Sequence, residues 1–509
     1  MSPPKIDNFP SPMSLSRRDF LARSGQGFGL IALSHLIDQQ CFADDPRPGK
    51  SQVSRQEKVL PGPHFPARAK AVIQLVQTGG PPQMDLFDRK PELQKRNGQI
   101  YGVKTDPFQP GSEKNKLLAS PFEFQRYGEC GMELSELIPH IGSIADEICL
   151  VRSAYGAHNN HPEAVNLLAT GKVLVGRPTL GAWVSYALGT ENQDLPAFVV
   201  LRDPEGYSTG GPLMSESGWL PKLYGGTEFS SRGTPLQNLE PPAGMLPGVQ
   251  RRTLDFLARL NKKHLEKYPG HSELETRIHN YELAARMQLS AKKVLDLSKE
   301  SKATLRLYGL DDPECWTPIE SGNDDKITPA GYAVRCLMAR RLVEAGVRFV
   351  QVFVGKGQPW DYHSYLEGGL PNMCRVSDRA SAALVKDLGQ RGLLDDTIVL
   401  WAGEFGRLPV SQIGQSKGRA GGRDHNMRAG SLWLTGGGFK KGYTYGATDE
   451  VGYQAVEKQL SMPDLMATIA HQMGIDHERL SHWHAGREET MTDSVVSNAL
   501  VHHEILAQK

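Results

Sequence analysis

The amino-acid sequence predicts an α/β fold in which a mostly parallel central sheet is flanked by helices. Short segments of the chain are apolar almost without interruption, at 69–76, 347–354 and 397–401. Such runs are typical of strands buried on both faces, whereas a strand with one solvent face alternates apolar and polar residues. Helical patterns at 330–345 and 375–391 alternate with these runs, which predicts crossover connections between parallel strands.

The same alternation continues elsewhere in the chain. Residues 147–151 and 197–201 are further predicted strands, and 163–170 and 178–188 are further predicted helices. In open parallel sheets, ligands bind at the carboxyl ends of the strands. Polar residues that directly follow a predicted strand are therefore the candidates for a functional site.

Residues 251–308 interrupt the pattern of strands. Apolar residues at helical spacing lie on both sides of Pro269-Gly270, which predicts two long helices joined at that point. We expect this helical insertion to pack against the sheet domain as a cap. Its apolar stripes indicate packing and no cofactor site.

The composition excludes several functional classes. The 509 residues contain 58 Lys and Arg against 57 Asp and Glu, and the formal net charge is +1. A balanced chain without a dominant basic block makes nucleic acid and anionic membrane surfaces poor partners. The cysteines are scattered and form no Cys-x-x-Cys, which argues against a disulfide framework, a zinc ribbon or an attached haem.

The N-terminus has the pattern of a twin-arginine export signal. Arg17-Arg18 precedes Phe20-Leu21 and a weakly apolar run at 25–33, which is too short to span a bilayer. The alternative is an N-terminal arm whose arginine pair is accidental. The signal predicts a periplasmic or secreted protein with no transmembrane segment after cleavage. The predicted division is a signal peptide at 1–43, a linker at 44–68 and an α/β domain at 69–509 that contains the helical insertion 251–308.

Five polar clusters follow predicted strands or lie in a nearby loop. Their carboxylates and imidazoles are ligands that zinc, calcium, magnesium or manganese accept. Each cluster alone has a structural alternative, such as an ion-paired loop or a buried Glu–Arg pair. Their joint occurrence near strand ends favours a functional site. The clusters lie at 83–88, 158–163, 360–363, 404–407 and 422–426.

These clusters, with other motifs, resemble a known bacterial family, domain of unknown function 1501. The resemblance covers essentially the whole chain after the signal. The family in turn resembles the alkaline phosphatase and sulfatase superfamily, which implies a sheet flanked by helices and metal-assisted hydrolysis. The matching motifs lie at 79–88, 281–288, 392–407, 422–425, 436–438, 446–450 and 476–480.

The superfamily resemblance implies a set of metal ligands. Asp361 and His363 resemble its Asp/His ligand pair, and His425 resembles its late histidine ligand. Asp85, from the first polar cluster, is a further candidate ligand. Glu404-Phe405-Gly406 occupies the place of an Asp-His-Gly sequence, so the carboxylate is kept and the imidazole is lost. One divalent metal is therefore expected, and its identity stays open among zinc, calcium, magnesium and manganese.

The position of the superfamily nucleophile differs in this chain. Residues 168–171 resemble the Leu-Leu-Thr-Gly sequence of sulfatases, and ten residues before its glycine stands His161, where a hydroxyl or a modified cysteine is expected. Three interpretations of His158 and His161 stay open: metal ligands, an acid/base or nucleophilic pair, or polar residues that satisfy the loop backbone. With Glu404 and Arg407, they are the candidate catalytic residues.

Together these features predict an exported, metal-dependent hydrolase-like protein that acts on phosphate or sulfate esters of a small molecule or glycan. The alternative is a binding or scaffold protein that has the same fold and has lost catalysis, because the nucleophile position is altered. Fold alone does not decide between the two.

Overall fold

A computed structural model describes residues 62–106, 115–232, 248–268, 294–412 and 421–508, with single residues between 269 and 293. The predicted signal peptide and most of the predicted linker lie outside the described residues.

The strands are short, and most of those in the central sheet are buried. We number them in chain order. They are β1 (Ala71–Val76), β2 (Phe124–Tyr127), β3 (Met132–Ser135), β4 (Ile148–Tyr155), β5 (Phe198–Leu201), β6 (Thr227–Glu228), β7 (Ile319–Glu320), β8 (Lys326–Ile327), β9 (Phe349–Phe353), β10 (Thr397–Ala402), β11 (Gly406–Ser411), β12 (Arg423–Asn426), β13 (Gly430–Thr435), β14 (Tyr443–Tyr445), β15 (Ala447–Thr448), β16 (Ala455–Glu457), β17 (Leu460–Ser461), β18 (Ser481–His484) and β19 (Arg487–Thr490).

The α-helices lie between the sheet strands, as the sequence predicts, and several short ones stand in loops. They are α1 (Gln83–Leu86), α2 (Pro91–Lys95), α3 (Pro139–Gly142), α4 (His161–Thr170), α5 (Leu180–Leu188), α6 (Val249–Lys267), α7 (Lys302–Leu307), α8 (Pro329–Glu344), α9 (Leu366–Gln390), α10 (Met462–Gln472) and α11 (Ser494–Ser497).

The central sheet has nine strands and is mostly parallel, which confirms the predicted fold class. Its order is β14-β4-β13-β10-β1-β9-β5-β6, and β17 also pairs with β4. β1 runs parallel to both neighbours, with Ala71 opposite Thr397 of β10 and Val72 opposite Phe349 of β9. In this sheet only β13 runs against the other described strands, because it is antiparallel to both β10 and β4.

Helices cover both faces of the sheet, which explains the near-continuous apolar strands. Successive side chains of a strand point to opposite faces. In β1, Ile73 and Leu75 pack in the core that contains α8 and α9, while Val72 and Val76 pack in the core that contains α4, α5 and α10. Because both faces are buried, every position of β1 except Gln74 carries an apolar side chain.

Helix α9 begins earlier than the sequence predicts. The periodic pattern predicts a helix over 375–391, whereas the structure has it over Leu366–Gln390 with Pro371 inside. Glycine and proline disfavour helix interiors, so the Gly368-Gly369 and Pro371 segment reads as a loop in the sequence. Gly369 lies against the Tyr362 ring, where a Cβ would approach Cε1 to 2.3 Å, so glycine is required for this close packing.

The structure describes the first helix of the predicted insertion as α6, which ends before Pro269. Most of the second predicted helix lies outside the described residues, although Met287 and Ala291 are helical and pack in the core of α8 and α9. The expectation that the apolar stripe of α6 packs inside is met only in part, since Leu254 and Leu265 are half-buried but Phe256 and Leu260 are 52% and 47% exposed. Among the described residues, no helix combines the length and apolar character needed to cross a bilayer.

Candidate metal centre

Five chain segments meet at the carboxyl edge of the sheet. The loops after β1, β9 and β10 leave the sheet at this edge, and α4 begins there after the loop that follows β4. β13 starts at the same edge because it runs the opposite way, so the preceding strand β12 also arrives there. This topology explains why polar clusters distant in sequence become neighbours.

The centre of the assembly is one carboxylate oxygen, Asp361 Oδ1. The Nε2 atoms of three histidines surround it, at 2.9 Å for His363, 3.3 Å for His425 and 3.4 Å for His161. The Nε2 atoms of His363 and His425 are themselves 3.0 Å apart. Three imidazoles and one carboxylate therefore face a common point.

The other ring nitrogen of each histidine contacts an oxygen. Nδ1 of His161 lies 2.5 Å from a carboxylate oxygen of Glu404, and Nδ1 of His425 lies 2.7 Å from the backbone oxygen of Asn159. Nδ1 of His363 contacts the side-chain oxygen of Gln412. Because these oxygens accept hydrogen bonds, each Nδ1 is assigned the donated proton. With its proton on Nδ1, an imidazole in the neutral form keeps a lone pair on Nε2, which is the arrangement of metal-binding histidines.

His161 supplies a second observation that points to a ligand. Its side chain is 5% exposed, and its Nε2 has no hydrogen-bond partner among the described residues. Leaving a buried polar atom without a partner is unfavourable, so native proteins rarely do so. A cation at the common point would satisfy this nitrogen.

Glu404 contacts Nδ1 of His161, on the side of the ring away from Asp361, and the turn after β1 fixes Glu404 in turn. Its buried carboxylate accepts hydrogen bonds from the backbone N–H of Gly79, at 2.9 Å, and of Gly80, at 3.4 Å. Gly79 has a φ of 109°, and a Cβ there would come 2.5 Å from the backbone nitrogen of Trp360. Glycine is therefore required at this turn.

Arg407 connects the segments that form the centre. Its guanidinium donates to Asp361 Oδ1 and to the backbone oxygens of Gly79, Gly80 and Arg423, at 2.9 Å for Gly80 and 3.0 Å for Arg423. The side chain is 2% exposed. A planar guanidinium has several donors in fixed directions, so it can bind these acceptors together, which an ammonium group does less well.

The charges of the centre follow from burial and mutual contacts. Burial raises the pKa of Asp361, but Arg407 and the three imidazoles outweigh it and hold this pKa well below its ordinary value. Burial lowers the pKa of His425 to about 4, so this imidazole is neutral near pH 7. Burial lowers the pKa of His161, but the Asp361 and Glu404 carboxylates raise it further, so the net shift is upward. Carboxylates that favour a proton at this position also favour a divalent cation.

The structure brings together six of the eight residues predicted for the site. Two predicted residues lie elsewhere. The Asp85 carboxylate binds the Arg423 guanidinium through two hydrogen bonds of 2.7 and 3.0 Å, and both side chains are fully buried. His158 is 39% exposed, and its Nδ1 accepts the backbone N–H of Asn160. The six that meet are His161, Asp361, His363, Glu404, Arg407 and His425.

The Asp85–Arg423 pair supports the site by joining α1, which contains Asp85, to β12, which begins at Arg423. Replacing Asp85 with Asn should lower the free energy of unfolding by about 3–5 kcal/mol, because it leaves a buried guanidinium without its charged partner. Chemical denaturation measures this loss. The matched control is Asp106→Asn, which removes a half-exposed partner of Arg428 and should cost below about 1 kcal/mol. Loss of bound metal from folded Asp85→Asn protein would instead make Asp85 a ligand.

Sequence reasoning missed two residues that shape the centre. Gln412 orients His363 from the residue after β11. The Phe405 ring lies 4.8 Å from the His161 ring and 4.7 Å from the His425 ring, measured between centroids. Phe405 lies in the Glu404-Phe405-Gly406 motif, but its apolar side chain gave no reason to assign it to the site. No sequence pattern pointed to Gln412, because it follows β11, a strand that the apolar runs did not predict.

A cavity of about 690 Å³ lies away from this centre, beside β5 and β6. Its lining includes Tyr224, Ser217 and Leu283, and none of the clustered histidines. The concentration of perturbed titratable groups is at the carboxyl edge, so chemistry is better assigned to the histidine centre than to this cavity.

A protein-family model matches most of the chain. A family model described as "Protein of unknown function (DUF1501)" matches residues 69–505. No curated protein matches the sequence.

Solved structures match only distantly. The sulfatase PsFucS1 from Pseudoalteromonas sp. is 13% identical, with 81% of this chain and 69% of that chain covered and a TM-score of 0.33. The phosphonate monoester hydrolase SpPMH from Silicibacter pomeroyi is 11% identical, with 85% and 78% covered and a TM-score of 0.30. An alkaline phosphatase superfamily protein from Vibrio parahaemolyticus is 11% identical, with 90% and 79% covered and a TM-score of 0.29. Likeness of this degree does not identify a substrate.

Proposed function

The chain belongs to the family described as protein of unknown function DUF1501, and from that premise we propose that it is a metal-dependent hydrolase of phosphate or sulfate esters. The observation that carries the proposal is the convergence of three histidine Nε2 atoms on Asp361 Oδ1 within 3.4 Å. The ester chemistry rests on the resemblance of the sequence motifs to the alkaline phosphatase and sulfatase superfamily.

The donor set fits one divalent ion of borderline softness. Three imidazole nitrogens and one carboxylate oxygen suit zinc better than calcium or magnesium, which prefer oxygen ligands. Glu404 accepting from Nδ1 of His161 has the form of the carboxylate–histidine–metal arrangement that fixes a ligand's tautomer and orientation. Asp361, His161, His363 and His425 are the proposed ligands.

A divalent cation held there would supply Lewis acidity toward a phosphoryl or sulfuryl oxygen. Arg407 keeps Asp361 ionised and positioned, and Glu404 keeps the His161 ring oriented. Because His161 stands where a hydroxyl or cysteine nucleophile is expected, we assign the attack on the ester to water rather than to a side chain. His363, with 16% of its side chain exposed, marks the open side of the centre.

The second candidate function is a scaffold or binding protein without turnover. The altered nucleophile position favours it, and so does Arg407, which already neutralises Asp361 without an added ion. In that case the histidines and Asp361 form an ion-paired network that pins the loops at the carboxyl edge.

The test is metal analysis of protein purified without chelator or added metal, followed by assays with generic phosphate and sulfate esters. We expect about one divalent ion per chain and ester turnover that is lost with chelator and restored by the same ion. Stoichiometric metal without turnover of any ester would favour the scaffold. Protein that holds no metal and takes none up would contradict the proposal.

Export through the twin-arginine pathway is part of the same proposal. The basis is Arg17-Arg18 with the apolar run at 25–33 in the sequence. Changing both arginines to lysine should keep a reporter fusion in the cytoplasm, because the pathway reads the arginine pair. Cell fractionation measures the outcome. Unchanged export of the lysine variant, or export in cells that lack the twin-arginine translocase, would contradict it.

A further inference from the structure

Helix α6 differs from the other long helices in its surroundings. It runs over the 19 residues Val249–Lys267, which corresponds to a length of about 28 Å. Helices α8 and α9 bury most of their apolar side chains in the core. None of the described side chains of α6 is buried. α6 is therefore a surface helix rather than a core helix.

The outward side of α6 carries a row of large apolar side chains. Phe256, Leu257 and Leu260 are 52%, 45% and 47% exposed. The spacing from Phe256 to Leu260 is one helical turn, and Leu257 lies beside them, so the three form one patch. Single exposed apolar residues are common, but a contiguous row on one helix face indicates an interaction surface.

Cationic side chains lie directly beside this row. Arg252, Arg259 and Lys263 are spaced by seven and four residues, which places them on one line along the helix next to the apolar row. All three are exposed. Residues 252–267 contain five Lys and Arg against two Asp and Glu, a net charge of +3, whereas the whole chain has a net charge of +1. The balanced composition of the chain thus conceals a local basic helix.

We propose that the outward face of α6 docks onto an anionic phospholipid surface. A basic amphipathic helix that lies in the interface places its apolar row at the boundary of headgroups and acyl chains, while its cations meet the lipid phosphates. The long Arg and Lys side chains reach the headgroups beside the buried row. The helix lies on the surface and does not cross the bilayer.

Charge complementarity decides between lipid and a second copy of the chain. In a two-fold dimer with antiparallel α6 helices, each basic row would meet the identical basic row of the partner chain, and in any dimer through this face two helices of the same net positive charge would meet, which is unfavourable. An anionic bilayer presents the opposite charge along the whole row. The expectation from overall net charge, that anionic membranes are poor partners, is therefore revised for this helix.

The test is co-flotation of the full-length chain with vesicles of phosphatidylglycerol and phosphatidylcholine, compared with phosphatidylcholine alone. We expect binding to the anionic vesicles that weakens in about 0.5 M salt, because screening shortens electrostatic range. Phe256→Ser with Leu260→Ser should weaken vesicle affinity about tenfold or more. Arg259→Glu with Lys263→Glu should have an effect of at least that size.

Val495→Ser is the matched control, because Val495 is 92% exposed and lies outside α6. It should leave vesicle affinity unchanged, and circular dichroism should show that all variants fold. The N-terminal 43 residues are the same in every variant, so any contribution from them cancels. Equal affinity of wild type and both α6 variants would overturn the proposal. So would dimerisation of the wild type that both α6 variants abolish without any vesicle binding.

Discussion

Replacing His161 with alanine is expected to reduce the content of bound divalent metal to below about a tenth of the wild-type content. The Nε2 atom of this residue is buried and has no hydrogen-bond partner among the described residues, and Glu404 fixes the orientation of its ring. Loss of one ligand of four removes a large part of the binding free energy. Metal analysis after gel filtration measures the content.

The same variant should lose the stabilisation that metal gives to the wild type. A ligand at one hundred times its Kd stabilises a folded protein by about 2.7 kcal/mol. Zinc should therefore raise the thermal midpoint of the wild type and leave His161→Ala nearly unchanged. His158→Ala is the matched control in the same loop, because His158 is 39% exposed and lies outside the centre. Wild-type metal content in His161→Ala would place the site elsewhere, and equal loss in both variants would mean that the effect is not specific to His161.

The sequence predicted the layers of the fold well, because strands buried on both faces have near-continuous apolar sequences. β1, β9 and β10 consist of almost uninterrupted apolar residues, and each lies at a predicted position. Only strands covered by helices on both faces need this pattern, so the fold class follows from it. The antiparallel strand β13 is not among the predicted strands, and periodicity would not have reported its direction.

The sequence predicted which clusters would meet, but it did not predict the partner of every residue. Asp85 and Arg423 stand in separate clusters of the predicted site, and Asp85 is a predicted metal ligand. In the structure they satisfy each other, at 2.7 Å between Asp85 Oδ2 and Arg423 Nε. Residue type and strand position identify ionisable side chains near a strand end, whereas pairing depends on side-chain directions that only the packed loops define.

Methionine in place of Arg407 is expected to destabilise the protein by about 3–5 kcal/mol, because the buried Asp361 carboxylate loses its charged partner. The backbone oxygens of Gly80 and Arg423 lose a donor at the same time. Arg407→Lys should recover only part of this loss, since an ammonium group cannot reach all four acceptors in their fixed directions. Chemical denaturation with chelator present measures the metal-free proteins.

Arg428→Met is the matched control for removal of an arginine from an ion pair. Arg428 binds Asp106 at the surface, where 46% of the arginine side chain is exposed, and its loss should cost below about 1 kcal/mol. A comparison of both variants with the wild type separates the burial of the Arg407 pair from the general effect of removing a positive charge.

Zinc gives the decisive second measurement on Arg407→Met. If the ion binds at Asp361, it supplies the positive charge that the variant lacks, so saturating zinc should stabilise Arg407→Met more than it stabilises the wild type. Thermal midpoints of both proteins with chelator and with zinc give the comparison. An equal zinc effect in the two proteins would mean that the ion does not interact with Asp361. A larger effect in the variant would show that the arginine and the metal both stabilise the Asp361 carboxylate.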